Sequence, residues 1–186
     1  MDPLIQSLLE ARVKNIDSRH FIPDNALERI LSSEAIHHFI QNTAVEVYHR
    51  REIIDAIANG GKHLFAVLAL MGEESSLLNF IERDQMVKTY DLDSRLPLTL
   101  EDLRKILPTG TAASLFYEKQ WELLAPFFRE DKSHRVFDED TVFPFIGCEG
   151  IAEGGFGEIS KVTLNEAHHG FTSVVEGKVT AEKRQV

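Results

Sequence analysis

The chain has 186 residues, 43% hydrophobic and 27% charged, which leaves room for one or two domains with a real core and is a soluble globular composition rather than a disordered one. Twenty basic residues against thirty acidic give a net charge of −10, which argues against non-specific nucleic-acid binding and against docking on an anionic membrane. Met1-Asp2-Pro3 does not open a signal peptide, the longest apolar run (Leu64 to Met71) is too short to span a bilayer, and the single Cys148 permits no internal disulfide, so a reducing intracellular compartment, the cytoplasm, is expected.

Glycine divides the chain near residue 143: seven of the 11 glycines fall in the last 44 residues. The earlier part reads as helix after helix, without repeats or low-complexity segments. Leu4, Ile5, Leu8, Leu9 and Val13 lie at helical spacing behind Pro3, which suits a first turn, and predict one helix over 3–14. Asp17 to Pro23 is a break. Pro23-Asp24 opens a short helix carrying Leu27, Ile30 and Leu31, and Ser33 is placed to cap the next, which carries Ile36, Phe39 and Ile40. Thr43-Ala44-Val45-Glu46 has the capping-box pattern ahead of a helix with Val47, Ile53, Ile54 and Ile57, stopped by Gly60-Gly61.

Lys62 to Met71 is apolar nearly all round, so that helix should be buried at the centre of the core, ending at Gly72. Leu77, Leu78, Phe80 and Ile81 mark another helix, and 84–98 reads as irregular. Thr99-Leu100-Glu101-Asp102 is a second capping box, for a helix that must stop before Pro108. Residues 111–125 carry Leu115, Phe116, Trp121, Leu123 and Leu124 and predict a further helix. The aromatic cluster of Phe116, Tyr117, Trp121, Phe127 and Phe128 is expected to be core rather than a partner-binding face. Arg129 to Asp140 reads as a charged, solvated linker.

The eight histidines do not form a metal pattern. His37 and His38 are adjacent and diverge on a helix, and His49 and His63 lack a partner at ligand spacing. His168-His169 beside Glu166 is a weak signal, and surface positions are expected for all eight. Cys148 reads as a small strand hydrophobe rather than a reactive thiol. No Gly-x-Ser-x-Gly elbow or spaced Cys/His pair points to a nucleophile.

Specific chemistry is suggested by Ile151-Ala152-Glu153-Gly154-Gly155-Phe156-Gly157-Glu158-Ile159. Three glycines within four residues allow a sharp turn and close backbone approach, and successive N–H groups in such a turn can face an anion. A Walker A loop is rejected because Phe156 stands where the lysine must be. A Rossmann loop is rejected because Glu158 to Leu164 suits a strand rather than the required helix. What remains is strand–glycines–strand. On spacing alone, a plain β-hairpin accounts for it as well as a phosphate-covering one does.

The stretch resembles the start of a protein-kinase domain, whose loop reads G-x-G-x-x-G-x-V. Gly154 and Gly157 match the second and third motif glycines, Gly155 and Phe156 lie between them, Ile159 stands for the Val, and Ile151 for the aliphatic residue before the first glycine. Ala152 departs from the pattern at that first glycine. Lys183, in Thr180-Ala181-Glu182-Lys183, stands for the third-strand lysine. Phe143-Pro144-Phe145 and His168-His169-Gly170-Phe171 extend the resemblance to a group of fungal kinase-like proteins with a helical N-terminal region.

The resemblance implies a nucleotide site. Gly154, Gly155 and Gly157 would cover ATP phosphates, Ile151 and Ile159 would flank adenine, and Lys183 would reach the phosphates. Magnesium would bind only in an intact kinase domain. The catalytic loop and D-F-G are absent from these residues, so the chain itself is expected to be inactive, with phosphotransfer to protein Ser/Thr confined to a longer form. The expected organisation is a helical domain (1–128), a charged linker (129–142) and the start of a kinase-like small lobe (143–186). It is mainly α followed by a short antiparallel β segment, α+β overall. The alternatives are a non-catalytic helical module that binds a protein partner, with a degenerate hairpin attached, and a small-molecule-binding helical domain.

Overall fold

The computed structural model describes residues 1–83, 91–130, 134–154 and 157–171. It is mainly α with short antiparallel β segments, as the pattern predicts, and among the described residues there are eight α-helices. Helix α1 (Pro3–Glu10) is capped by Asp2, whose side chain accepts from the Leu4 N–H at 2.8 Å. It ends sooner than its apolar spacing predicts. Val13–Lys14 (β1) instead pairs antiparallel with His20–Phe21 (β2). The cause is Asn15, whose Oδ1 accepts from Asp17 N–H (3.0 Å) and Arg19 N–H (2.9 Å) and folds the chain back on itself.

Helices α2 (Asp24–Ile30) and α3 (Ser33–Gln41) follow. The cap of α3 is Ser32, one residue earlier than expected, its side chain accepting from Ala35 N–H. Helix α4 (Val47–Ala58) corrects a second expectation, because the Thr43–Glu46 capping box does not form. The Thr43 hydroxyl donates backwards to the Ile40 carbonyl (2.9 Å), and Glu46 precedes the helix without a side-chain cap bond. Helix α5 (Lys62–Met71) has six consecutive buried residues, Leu64 to Ala69, and ends at Gly72 in the left-handed region (φ 70°).

Helix α6 (Leu77–Arg83) comes next, then a 3₁₀ turn at Asp93–Arg95. Helix α7 (Leu100–Ile106) is capped as predicted, with Thr99 Oγ1 accepting from Asp102 N–H (3.2 Å). Helix α8 is Gly110–Leu123. The main core surrounds α5 and draws on every helix, its buried members among the described residues lying between Leu4 and Leu123. Within it Phe39 meets Phe65 edge-on (5.7 Å), and Phe80 stacks on Phe116 (5.8 Å). Each such ring contributes about 1.5–3 kcal/mol by leaving water. Of the aromatic stripe expected as core, Phe116 and Trp121 are buried, and Tyr117, Phe127 and Phe128 are half-buried. No helix among the described residues is long and apolar enough to cross a membrane.

Strands β3 (Phe145–Gly154) and β4 (Gly157–Leu164) form an antiparallel hairpin. The segment expected as a solvated linker is exposed over 134–136 and 138–139, yet it is fastened at its far end. Asp140 Oδ2 accepts from the Tyr117 hydroxyl (2.9 Å), the Asp140 carbonyl accepts from Arg19 Nη2 (2.6 Å), and Val142 is buried in a small second cluster with Phe21, Trp121 and Ala125.

Candidate functional site

The hairpin's register runs from Phe145↔Leu164 to Gly154↔Gly157, so only Gly155 and Phe156 separate its strands. The pairing slips by one residue at Ile146 and again at Ile151. A bulge of this kind turns a side chain off the regular alternation, and both isoleucines are accordingly left 45–46% exposed. Glu149 lies opposite Lys161, a favourable cross-strand charge pair. Gly147 lies opposite Thr163, where a Cβ would stand 3.2 Å from the Thr163 Oγ1, so the glycine permits that close pairing. Cys148, expected as a strand hydrophobe, is on β3 but exposed.

Of the residues singled out in sequence, Ile151, Ala152, Gly154, Gly157 and Ile159 come together on this one hairpin, with Ala152 paired to Ile159. Gly155, Phe156 and Lys183 lie outside the described residues. Strand, not helix, follows the glycines, in keeping with the rejection of a Rossmann loop.

The base of the hairpin is held on the helical part by contacts that sequence did not reveal. Asn15 Nδ2 donates to the Phe143 carbonyl (3.0 Å), and the Ile16 N–H donates to the Phe145 carbonyl (2.9 Å). Phe143 and Phe145 stack at 5.2 Å, Phe137 meets Phe143 edge-on, and Phe128 lies 5.9 Å from Phe145. The Arg135 guanidinium covers Phe137 at 4.9 Å and donates to the Phe127 carbonyl (2.6 Å). Beyond β4, a 3₁₀ turn at Glu166–His168 returns the chain to the helices. There the Phe128 N–H donates to the His168 carbonyl (2.8 Å) and the Gly170 N–H to the Phe128 carbonyl (2.9 Å).

Two histidines depart from the surface positions expected of them. His168 is fully buried and meets Phe21 edge-on at 5.3 Å. Burial pushes its pKa below the ordinary value of 6.5, with Asp24 and the nearby Pro126 and Ala125 carbonyls opposing. His63 is half-buried, with Nδ1 3.1 Å from Asp93 Oδ2 and Nε2 3.9 Å from Asp24 Oδ1. Burial alone would lower it, but the Asp24 and Asp93 carboxylates raise it to about 9. Among the described residues no group of three His, Cys, Asp or Glu side chains could hold a metal ion.

Asn15, Asp93 and His168 thus organise the molecule in ways the sequence did not reveal. Asn15 alone carried a local signal, since the Asn-x-Asp-Ser stretch suits an Asx turn. No protein-family model, curated protein or solved structure matches the chain.

Proposed function

We propose that the β3–β4 hairpin is the phosphate-covering element of a protein-kinase-like small lobe. The observation that carries this reading is the antiparallel pairing that persists to Gly154↔Gly157. It brings two motif glycines to the tip of a hairpin, where backbone N–H groups can face an anion. Ile151, off the regular alternation and half exposed, is free to cover an adenine ring. In this reading Gly154, Gly155 and Gly157, with Phe156 among them, would cover the ATP phosphates, Ile151 and Ile159 would flank adenine, and Lys183 would reach the phosphates. Ala152 weakens the close backbone approach at the first motif position.

Magnesium and phosphotransfer to protein Ser/Thr belong to an intact kinase domain, which supplies a catalytic Asp, an Asn and the D-F-G Asp. The unpaired cysteine suits an intracellular, cytoplasmic setting. The test is the native transcript past Val186. Continued frame with H-R-D and D-F-G segments is expected, and a stop directly after Val186 overturns the assignment.

A second reading, a non-catalytic helical module that binds a protein partner, is supported by one observation. Among the described residues the buried members of the main core all lie within residues 4–123, so the helical part has an apolar interior of its own. In that case residues 1–128 fold alone and ATP with magnesium gives no thermal shift.

A further inference from the structure

We propose that His168 is a proton-operated latch: its neutral imidazole, seated between the helical core and the end of the hairpin, holds residues 165–171 in place and lets them go in mild acid. The inference stands on how the hairpin is docked, whichever functional reading holds.

The ring is fully buried, and neither Nδ1 nor Nε2 has a hydrogen-bond partner among the described residues. A neutral imidazole in that seat leaves one N–H donor unsatisfied. An imidazolium would bury a net charge and two N–H donors, which is far more costly. Burial outweighs the groups that would favour that charge, Asp24 and the Pro126 and Ala125 carbonyls, and neither carbonyl is within hydrogen-bond geometry of the ring. Phe21 presents a ring edge, and the Ala125 and Pro126 carbonyls lie nearby. Asp24 of α2 is the charged group facing it from the packed elements, and Asp24 is already shared with His63 at 3.9 Å. On its own segment, Glu166 is exposed and His169 half-buried.

The backbone seam is two hydrogen bonds, Phe128 N–H to His168 carbonyl and Gly170 N–H to Phe128 carbonyl. Expelling the ring breaks both. The other end of the hairpin is tied by Asn15 to Phe143 and Ile16 to Phe145, where no imidazole takes part. Residues 165–171 would therefore swing about the hairpin base, where the Asn165 N–H stays bonded to the Pro144 carbonyl (2.9 Å).

The sign follows from burial. The folded pKa lies below 6.5, so the latch is closed above that value and weakens as pH falls beneath it.

The test is amide hydrogen exchange on the full chain between about pH 5 and 8. Below about pH 6.5, protection at Phe128 and Gly170 should fall by up to about tenfold per pH unit after correction for intrinsic exchange, while Phe65 and Val67 in α5 hold theirs. His168→Phe should abolish the fall. An independent readout in the unmodified chain is the His168 ring resonance, which should titrate below the ordinary value. The proposal is overturned if that ring titrates at or above 6.5, if Phe128 and Gly170 are insensitive to pH, if the core amides weaken with them, or if the fall persists in His168→Phe.

Discussion

Asp93 caps the first turn of α5 at His63 and Leu64. Its Oδ2 accepts from the His63 N–H (3.0 Å) and its Oδ1 from the Leu64 N–H (2.9 Å), while the His63 ring lies 3.1 Å from the same Oδ2. One carboxylate therefore satisfies two orphan N–H groups of α5 and holds an imidazolium beside them. The central helix begins at Lys62 without a side-chain cap of its own, so this remote carboxylate supplies what local sequence does not.

Replacing Asp93 by Ala should cost about 1–2 kcal/mol through the lost cap alone, read by urea denaturation at neutral pH. The same pair predicts a loss of stability in alkali. His63 is raised from 6.5 to about 9, so its contribution is fully present below 6.5 and lost as pH climbs to about 9. With the ring 28% exposed, a loss on the order of 2 kcal/mol is expected after screening. His63→Gln should flatten the urea midpoint over that window. An unchanged slope in the variant would mean another group titrates there.

The interior of α5 sets the largest single-site effects. Phe65 is fully buried and packs edge-on against Phe39. Phe65→Ala should cost about 3–5 kcal/mol, from lost transfer energy and the cavity left behind. Phe65→Leu should cost distinctly less. Equal costs by chemical denaturation would mean that the site collapses around the gap.

These effects separate what sequence revealed from what it could not. Lys62–Met71 was legible because eight consecutive apolar residues, Leu64 to Met71, lie in a ten-residue segment between Gly61 and Gly72, which suits an interior helix. Thr99 was legible because its cap partner lies three residues away. Thr43 carries the same local pattern yet its hydroxyl turns back to Ile40, so a motif of four residues does not decide which helix end it serves. Val13 sits at helical spacing and is drawn into β1 because Asn15 folds the chain there. The hairpin glycines were legible as a turn. The docking of that turn was not, since Asn15 meets Phe143 across 128 residues of sequence. His168, one of a histidine pair in a short polar stretch after the strand, gave no sign that it would be buried.

The nucleotide reading predicts a gain of function. If Ala152 is a defective first motif glycine, Ala152→Gly should tighten binding of a fluorescent ATP analogue, and Gly154→Val should abolish it. A tenfold change corresponds to about 1.4 kcal/mol, a fair scale for relieving one close backbone contact. Gly147→Val is the control on the hairpin itself, because its side chain must displace Thr163. It should loosen the strand pairing while the helical core stays intact. Indifference of binding to all three changes would remove the hairpin from any nucleotide site.

Asn15 offers a cleaner dissection of the hinge. Its Oδ1 accepts two backbone N–H groups of its own turn, and its Nδ2 donates to Phe143. Asn15→Asp keeps both acceptor bonds and removes the donor, setting a carboxylate oxygen against the Phe143 carbonyl. Asn15→Ala removes all three bonds. Each lost bond to a part-buried group costs about 1–3 kcal/mol. If the turn is what matters, Asp should behave nearly as the native chain and Ala should be destabilised. If the tie to the hairpin matters, both should expose the Phe145 amide region to exchange while only Ala disturbs the β1–β2 turn. The second pattern is expected, because the turn has its own backbone bond from Asn15 N–H to the Arg19 carbonyl (2.8 Å). The hairpin base depends on Asn15 and Ile16 for its hydrogen bonds to the β1–β2 turn.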